Sequence, residues 1–426
     1  MQALSGTAAE NLDADFVQDS WTLFARMRQE GPAREVVMPH GVKVWLVTRY
    51  DDVKALLSDP RVSKDGRRVN ELFTKHSGAA AAVAEEEQGE QDEQDEQGSG
   101  AFVDDDLTQH ILNTDPPRHT RLRKLVTKAF TEGRVQAMRP HVEEVAAAIL
   151  DRLWLEDRRE VELIDEFAEP MTTTVLAELL GVPAADRDVF RSWARTLVGS
   201  GPSPEEVAAA TEAVVTYSRE LAEAKRAAPG DDLYSALVQA TDEGDRLTPN
   251  ELVSLFFLLV VAGHFTSTGM IGNGMRALLM NPSQLALLRA DPALLPGALE
   301  ELLRFDGPVG MGTFRFTMTD VAVGGTTIPA GEIVVLSLTS ANRDAARFEN
   351  ADELDVTRHV AGHLAFGHGI HYCVGAPLGR LMVEVAIGGL VARFPRMALA
   401  VPPEQLRWKA STIEHTLEAL PVLLDG

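Results

Sequence analysis

Apolar and polar positions alternate along residues 41–49 (GVKVWLVTR), the period-two signature of a half-buried strand. From Tyr50 to Ser58 the spacing becomes helical. Residues 115–225 are mostly helical in pattern, with Gly/Pro breaks at Gly181–Pro183 and Gly199–Pro204. A long helix is predicted from Thr248. Its hydroxyl can cap the first turn, Pro249 fits that turn, and Glu251 completes a capping box. The helix runs to about Met280, ahead of Asn281-Pro282, and so measures roughly 50 Å at a rise of 1.5 Å per residue. Beyond Gly307 the pattern shortens into β-like runs over residues 314–338, then an irregular stretch, then a last helix from near Gly375 to about Phe394. Residues 78–100 fit neither period. They are acidic, low in complexity and free of aromatics, and are expected to form a disordered surface loop. No internal repeat or inter-domain linker is visible, so the expectation is one domain over residues 1–426, mainly α with a minor β portion.

Composition narrows the function. Of 426 residues, 45% are apolar and 24% charged, ordinary for a chain that buries a large core. The formal net charge of −24 disfavours nucleic acid and anionic membrane surfaces as partners, because both require a basic footprint. The most apolar run, Leu255 to Gly263, falls short of a bilayer span, and the first residues lack the features of a signal peptide. A single cysteine forms no internal disulfide, which is consistent with a reducing cytoplasm, where the chain is expected to reside as a monomer.

That cysteine carries the chemistry. A lone cysteine is by default a buried structural thiol, but the neighbours of Cys373 (FGHGIHYCVGAPLGR, residues 366–380) are those a metal-binding thiolate needs. Gly367 and Gly369 permit a tight turn, and Gly375 lets the backbone approach a ligand. The following helix points its amides and dipole at the sulfur, Phe366 can shield it from solvent, and His371 can hydrogen-bond an acidic cofactor group.

The stretch resembles the haem-binding signature of the cytochrome P-450 family, Phe-Gly-x-Gly-x-His-x-Cys-x-Gly, with the departure that Gly379 replaces the usual alanine before Arg380. Three further segments are similar to family elements. Glu301 and Arg304 match its Glu-x-x-Arg, which in the family locks to an arginine at the position of Arg358. Residues 115–130 resemble the helix that supplies haem propionate ligands, with His119 and Arg123 four apart on one face; Arg315 and His371 match two more propionate partners. Ala262 to Ser267 (AGHFTS) looks like the oxygen-activation segment, in which Gly263 lets the helix pass close over the haem while Thr266 and Ser267 supply hydroxyls. Phe265, however, stands where the family carries a carboxylate. His264, one residue away and about 100° around the helix, points elsewhere and is not expected to substitute for it.

The resemblance runs from Trp45 to Leu420–Val422 and implies a triangular, mostly helical fold around one haem b. In it Cys373 ligates the iron, and thiolate donation favours cleavage of the O–O bond. The implied reaction consumes dioxygen to hydroxylate or epoxidise a hydrophobic small molecule such as a polyketide, macrolide, terpenoid or steroid. Electrons would come from NAD(P)H through an external ferredoxin and ferredoxin reductase, because the chain has neither a Gly-rich dinucleotide fingerprint nor iron–sulfur cysteines. Arg121, Lys124 and Lys128 project within one arc opposite His119 and Arg123, and are expected to steer an acidic ferredoxin. Phe265 keeps one alternative open, non-oxygenating or peroxide-driven chemistry at the same haem; a haem-based sensor without turnover is a third reading, against which the hydroxyls of Thr266 and Ser267 count.

Overall fold

The computed structural model describes residues 9–39, 41–68, 76, 107, 109–156, 159–198, 201–242 and 244–425; the acidic stretch 78–100 lies outside the described residues. Its β portion is centred on a six-stranded sheet of β1 (Glu10–Asn11), β2 (Ala33–Val37), β3 (Lys43–Val47), β4 (Val62–Ser63), β5 (Arg315–Thr317) and β6 (Ile333–Leu336), in the order β1-β2-β3-β6-β5-β4. The alternation read in residues 41–49 is real: Val44 and Leu46 are buried, while Lys43 and Trp45 are half-buried. β2 and β3 pair antiparallel, with Val36 opposite Val44. All four residues of β6 are buried. It runs parallel to β3 (Val334 opposite Trp45) and antiparallel to β5 (Val334 opposite Arg315), so its two faces and both edges are covered.

The site is built chiefly from α1 (Arg118–Ala129), α2 (Glu169–Leu179), α4 (Pro249–Met280), α5 (Leu295–Asp306) and α6 (Ala376–Arg393), with α3 (Arg187–Val198) packed behind α2 and α4. The start of α4 follows its local chemistry. Thr248 Oγ1 accepts the Glu251 amide at 3.2 Å, and Glu251 Oε2 accepts the Thr248 amide at 3.0 Å. Over 32 residues the helix threads the largest hydrophobic cluster, where Phe256, Val260 and Ile271 meet Leu302 of α5 and Ile387 of α6. Glycines make this proximity possible. A Cβ on Gly269 would fall 2.1 Å from Thr416 Cγ2, and one on Gly274 would fall 2.8 Å from Ile387 Cδ1.

By length and composition α4 is apolar enough to cross a bilayer, which corrects the reading made from Leu255–Gly263 alone. Fifty-six per cent of its most apolar window is buried inside the protein, and the helix is accounted for as the axis of the core.

Candidate functional site

The cysteine loop is a turn closed by its own backbone. Gly367 and Gly369 take φ of +73° and +76°, where a side chain would be strained. A Cβ on Gly369 would also meet Ser58 Oγ at 2.7 Å. The Phe366 carbonyl accepts the Cys373 amide at 2.9 Å, which holds the cysteine at the head of α6. Cys373 is exposed, but to the interior of a cavity of about 310 Å³ rather than to the outer surface. Burial among protein atoms pushes its thiol up; the amides of Gly375 and Ala376 and the charges of Arg123 and Arg380 pull the other way by favouring thiolate.

Across the cavity lies α4. Ala262, Gly263, Phe265, Thr266 and Ser267 all line it. Thr266 Oγ1 donates to the Ala262 carbonyl at 2.7 Å, so its lone pairs remain as acceptors toward the cavity. A Cβ on Gly263 would meet Leu176 of α2 at 3.1 Å, so the glycine makes room for that side chain. His264 turns away from the cavity. It is buried, 3.8 Å from Glu169 Oε1 on α2, and neither ring nitrogen has a hydrogen-bond partner.

One end of the cavity is cationic. Lys64, Arg123 and Arg315 line it together with His371. Lys64 is buried, and its ammonium hydrogen-bonds Thr313 Oγ1. Burial lowers its pKa far below the ordinary lysine value; the nearby Arg315 charge lowers it further, and Asp115 opposes both. Burial likewise lowers Arg315 to about 10, against the pull of Asp115. The histidines here are neutral: burial and the neighbouring cations push His371 down to about 2 and His110 to about 3. His119 packs against His371 with ring centroids 4.4 Å apart, and both His119 Nε2 and His371 Nδ1 are buried without a partner. Among the described residues Asp115 is the one carboxylate acting on Lys64 and Arg315, while burial lowers Arg123 and the Cys373 sulfur opposes it. Lys64, Arg123 and Arg315, with Asp115 as the one opposing carboxylate among the described residues, and two orphaned imidazole nitrogens together complement a group bearing two carboxylates. A haem with its iron over Cys373 fits this donor set.

Lys64 escaped the sequence reading. It follows a two-residue strand, and no spacing links it to Arg315 or His371. A charged hydrogen bond is worth about 1.5–3 kcal/mol. Lys64→Met should therefore speed haem loss from the holoenzyme to a scavenging apoprotein by roughly tenfold or more, with Lys64→Arg close to wild type. An unchanged rate for Lys64→Met would remove Lys64 from the site.

Glu301 and Arg304 are fully buried on α5. Arg304 Nε and Nη2 donate to the two carboxylate oxygens at 2.6 and 2.8 Å. Arg358 Nε reaches Glu301 Oε1 at 3.1 Å, and the Asp355 amide reaches the same oxygen at 3.0 Å. The open basic arc expected on α1 is absent. Arg121 is paired with Asp245 at 2.5 Å and with Glu251 at 2.8 Å. Lys128 lies 2.5 Å from Asp242, and Lys124 lies 3.8 Å from it. Asp242 and Asp245, on two short paired strands, and the capping Glu251 thus pair with the charges assigned to partner steering.

Comparison with known proteins agrees with this architecture. The family model described as Cytochrome P450 matches residues 205–409. The chain is 49% identical over 410 residues to Cytochrome P450 107B1 of Saccharopolyspora erythraea, covering 96% of each. It is 41% identical over 426 residues to Vitamin D(3) 25-hydroxylase of Pseudonocardia autotrophica, covering 99% of this chain and 98% of that one. The solved structure of the tirandamycin C-bound P450 monooxygenase TamI is 44% identical, with a TM-score of 0.84, and the match covers 97% of this chain and 100% of that one.

Proposed function

The chain belongs to the cytochrome P450 family and is a haem-dependent monooxygenase; from that premise we propose that Cys373 is the axial ligand and that a neutral, hydrophobic product of secondary metabolism is the substrate. The observation that carries this reading is the apolar chamber between Cys373 and Thr266. The charged side chains that reach the cavity, Lys64, Arg123, Arg315 and Arg380, lie at the cationic end or around the cysteine loop. The wall facing the substrate is built instead from Leu176, Leu179, Leu258, Phe265, Val309 and Ile413. Such a wall excludes water and selects by shape, as the molecules named with relatives, vitamin D(3) for a hydroxylase and tirandamycin C bound to TamI, would require. Polyketides, macrolides, terpenoids and steroids share that chemistry.

When bound, the haem supplies the activation of dioxygen and its insertion into a C–H or C=C bond. The protein contributes rigid ligation at Cys373, binding of the carboxylates by Lys64, Arg123, Arg315, His119 and His371, and handling of protons at Thr266. Phe265 occupies the cavity wall where a carboxylate would bring protons in, and its ring keeps water off that turn. Thr266, Ser267 and waters held by the substrate then carry the proton relay. Electrons come from NAD(P)H through a separate ferredoxin and ferredoxin reductase, in the cytoplasm.

The test is product analysis over a panel of macrolactones, terpenoids and steroids, with and without surrogate ferredoxin and reductase. Products that require the donors, and carry one oxygen atom from dioxygen, support the monooxygenase reading for those substrates. Thr266→Ala is expected to uncouple electron consumption from product, diverting electrons to hydrogen peroxide, while Phe265→Glu keeps activity or improves coupling. The position of Phe265 supports one rival, donor-independent or peroxide-driven chemistry. Equal product without donors, together with unaltered coupling in Thr266→Ala, would establish that rival.

A further inference from the structure

Two consecutive glutamates on α5 hold two different parts of the protein. Glu301 holds the segment carrying Arg358. Glu300, about 100° around the helix from it, faces the cysteine loop. Arg380, in the second turn of α6, donates Nε to Glu300 Oε1 at 2.6 Å and Nη2 to Oε2 at 2.9 Å, a bidentate fork. His363, three residues before Phe366, lies 2.9 Å from Oε2 through Nε2. Its Nδ1 accepts the Ala365 amide at 3.2 Å, which leaves Nε2 to donate to Glu300. Burial pushes the Glu300 carboxyl up, but hydrogen bonds from Arg380 and His363 outweigh it and hold the group at about 2.

From Arg380 the contacts continue to the thiol. The guanidinium lies 4.4 Å over the Phe366 ring, and Nη1 donates to Tyr372 Oη at 3.3 Å. Phe366 lines the cavity, and its carbonyl holds the Cys373 amide. A fork that only added stability would contribute little here, because Arg380 and Glu300 keep 31% and 26% side-chain exposure and pairs so exposed are worth at most about 1 kcal/mol. Its consequence lies instead in where it places a cation relative to the sulfur.

We propose that Glu300 and Arg380 form a charge-compensated clamp that positions the cysteine loop and tunes electron donation by the Cys373 sulfur. Glu300 locks the guanidinium over Phe366, which closes the loop to solvent, and offsets the positive charge that Arg380 brings to the ligand. Both are positioning residues, and the proposal rests on the reading of Cys373 as the haem ligand.

The experiment compares the holoenzyme with Glu300→Gln and Arg380→Met. Two quantities are read: the reduction potential of the haem, and the rate at which the reduced carbon-monoxide complex loses its red-shifted Soret band. A positive charge near the iron favours the reduced state. Glu300→Gln, which leaves Arg380 uncompensated, should therefore raise the potential, and Arg380→Met should lower it. Both should lose the band about fivefold faster, the effect of weakening a partly exposed charged contact by about 1 kcal/mol. Potentials that move together or stay put, or a band as durable as in wild type, would overturn the clamp. If Arg380→Met takes up no haem, Arg380→Lys replaces it: the charge is kept and the fork lost. Its potential should match wild type while the band decays faster, and any other result counts against the proposal. Absence of the red-shifted band from the wild-type protein would instead show that the reading of Cys373 had failed.

Discussion

Cys373→Ala is expected to abolish the red-shifted Soret band of the reduced carbon-monoxide complex and, with it, donor-dependent product formation. The band reports a thiolate on the iron, and the chain has no other cysteine to supply one. The surrounding loop should survive the change. Its turn depends on the positive φ of Gly367 and Gly369 and on the bond from the Cys373 amide to Phe366, none of which involves the sulfur. The cationic end of the cavity is also untouched, so the variant should still bind haem through its carboxylates, with an ordinary Soret spectrum. Optical spectroscopy of the purified variant separates the outcomes. A red-shifted band that survived the substitution would exclude Cys373 as the ligand.

Glu301→Ala should be the most damaging substitution away from the cavity. It leaves Arg304, a fully buried guanidinium, without its carboxylate, and Arg358 loses the same partner. Arg304 would retain the carbonyls of Asn342, Ala351 and Glu353, which satisfy donors but do not neutralise charge. Breaking a buried pair from one side costs about 3–5 kcal/mol, a large part of the roughly 5–15 kcal/mol that holds a domain folded. The expected result is little soluble holoenzyme and, for what folds, a strongly lowered denaturation midpoint. Arg358→Ala should cost less than half as much, because Arg358 keeps 17% side-chain exposure and water can enter. Equal midpoints for Glu301→Ala and wild type in thermal or denaturant melts would rule out this account of the triad.

Features built from neighbouring residues were legible in the sequence. The capping box at Thr248, the end of α4 at Asn281-Pro282 and the glycine turn before Cys373 depend on chemistry within a few residues, and the structure places them where the pattern did. The same holds for the alternating strand β3 and for the face of α1 that carries His119 and Arg123. Outcomes set by approach between distant segments were not legible. The basic arc of Arg121, Lys124 and Lys128 was correctly assigned to one side of its helix, but nothing local revealed that Asp242 and Asp245, more than a hundred residues later, would pair with it.

By itself the sequence determined the class of chemistry, the glycine turn that holds Cys373 and the long helix across the cavity from it, because short-range sterics, capping and helical periodicity act before any tertiary contact exists. Only the tertiary structure decided which charges stay free and which are cancelled. It brought Lys64 beside Arg315, turned His264 toward Glu169, paired β3 with β6 and set Glu300 against Arg380. A sequence pattern marks the face of an element that will be buried; what that face meets depends on the packing of the whole chain, and the energy of a charge is fixed by what it meets.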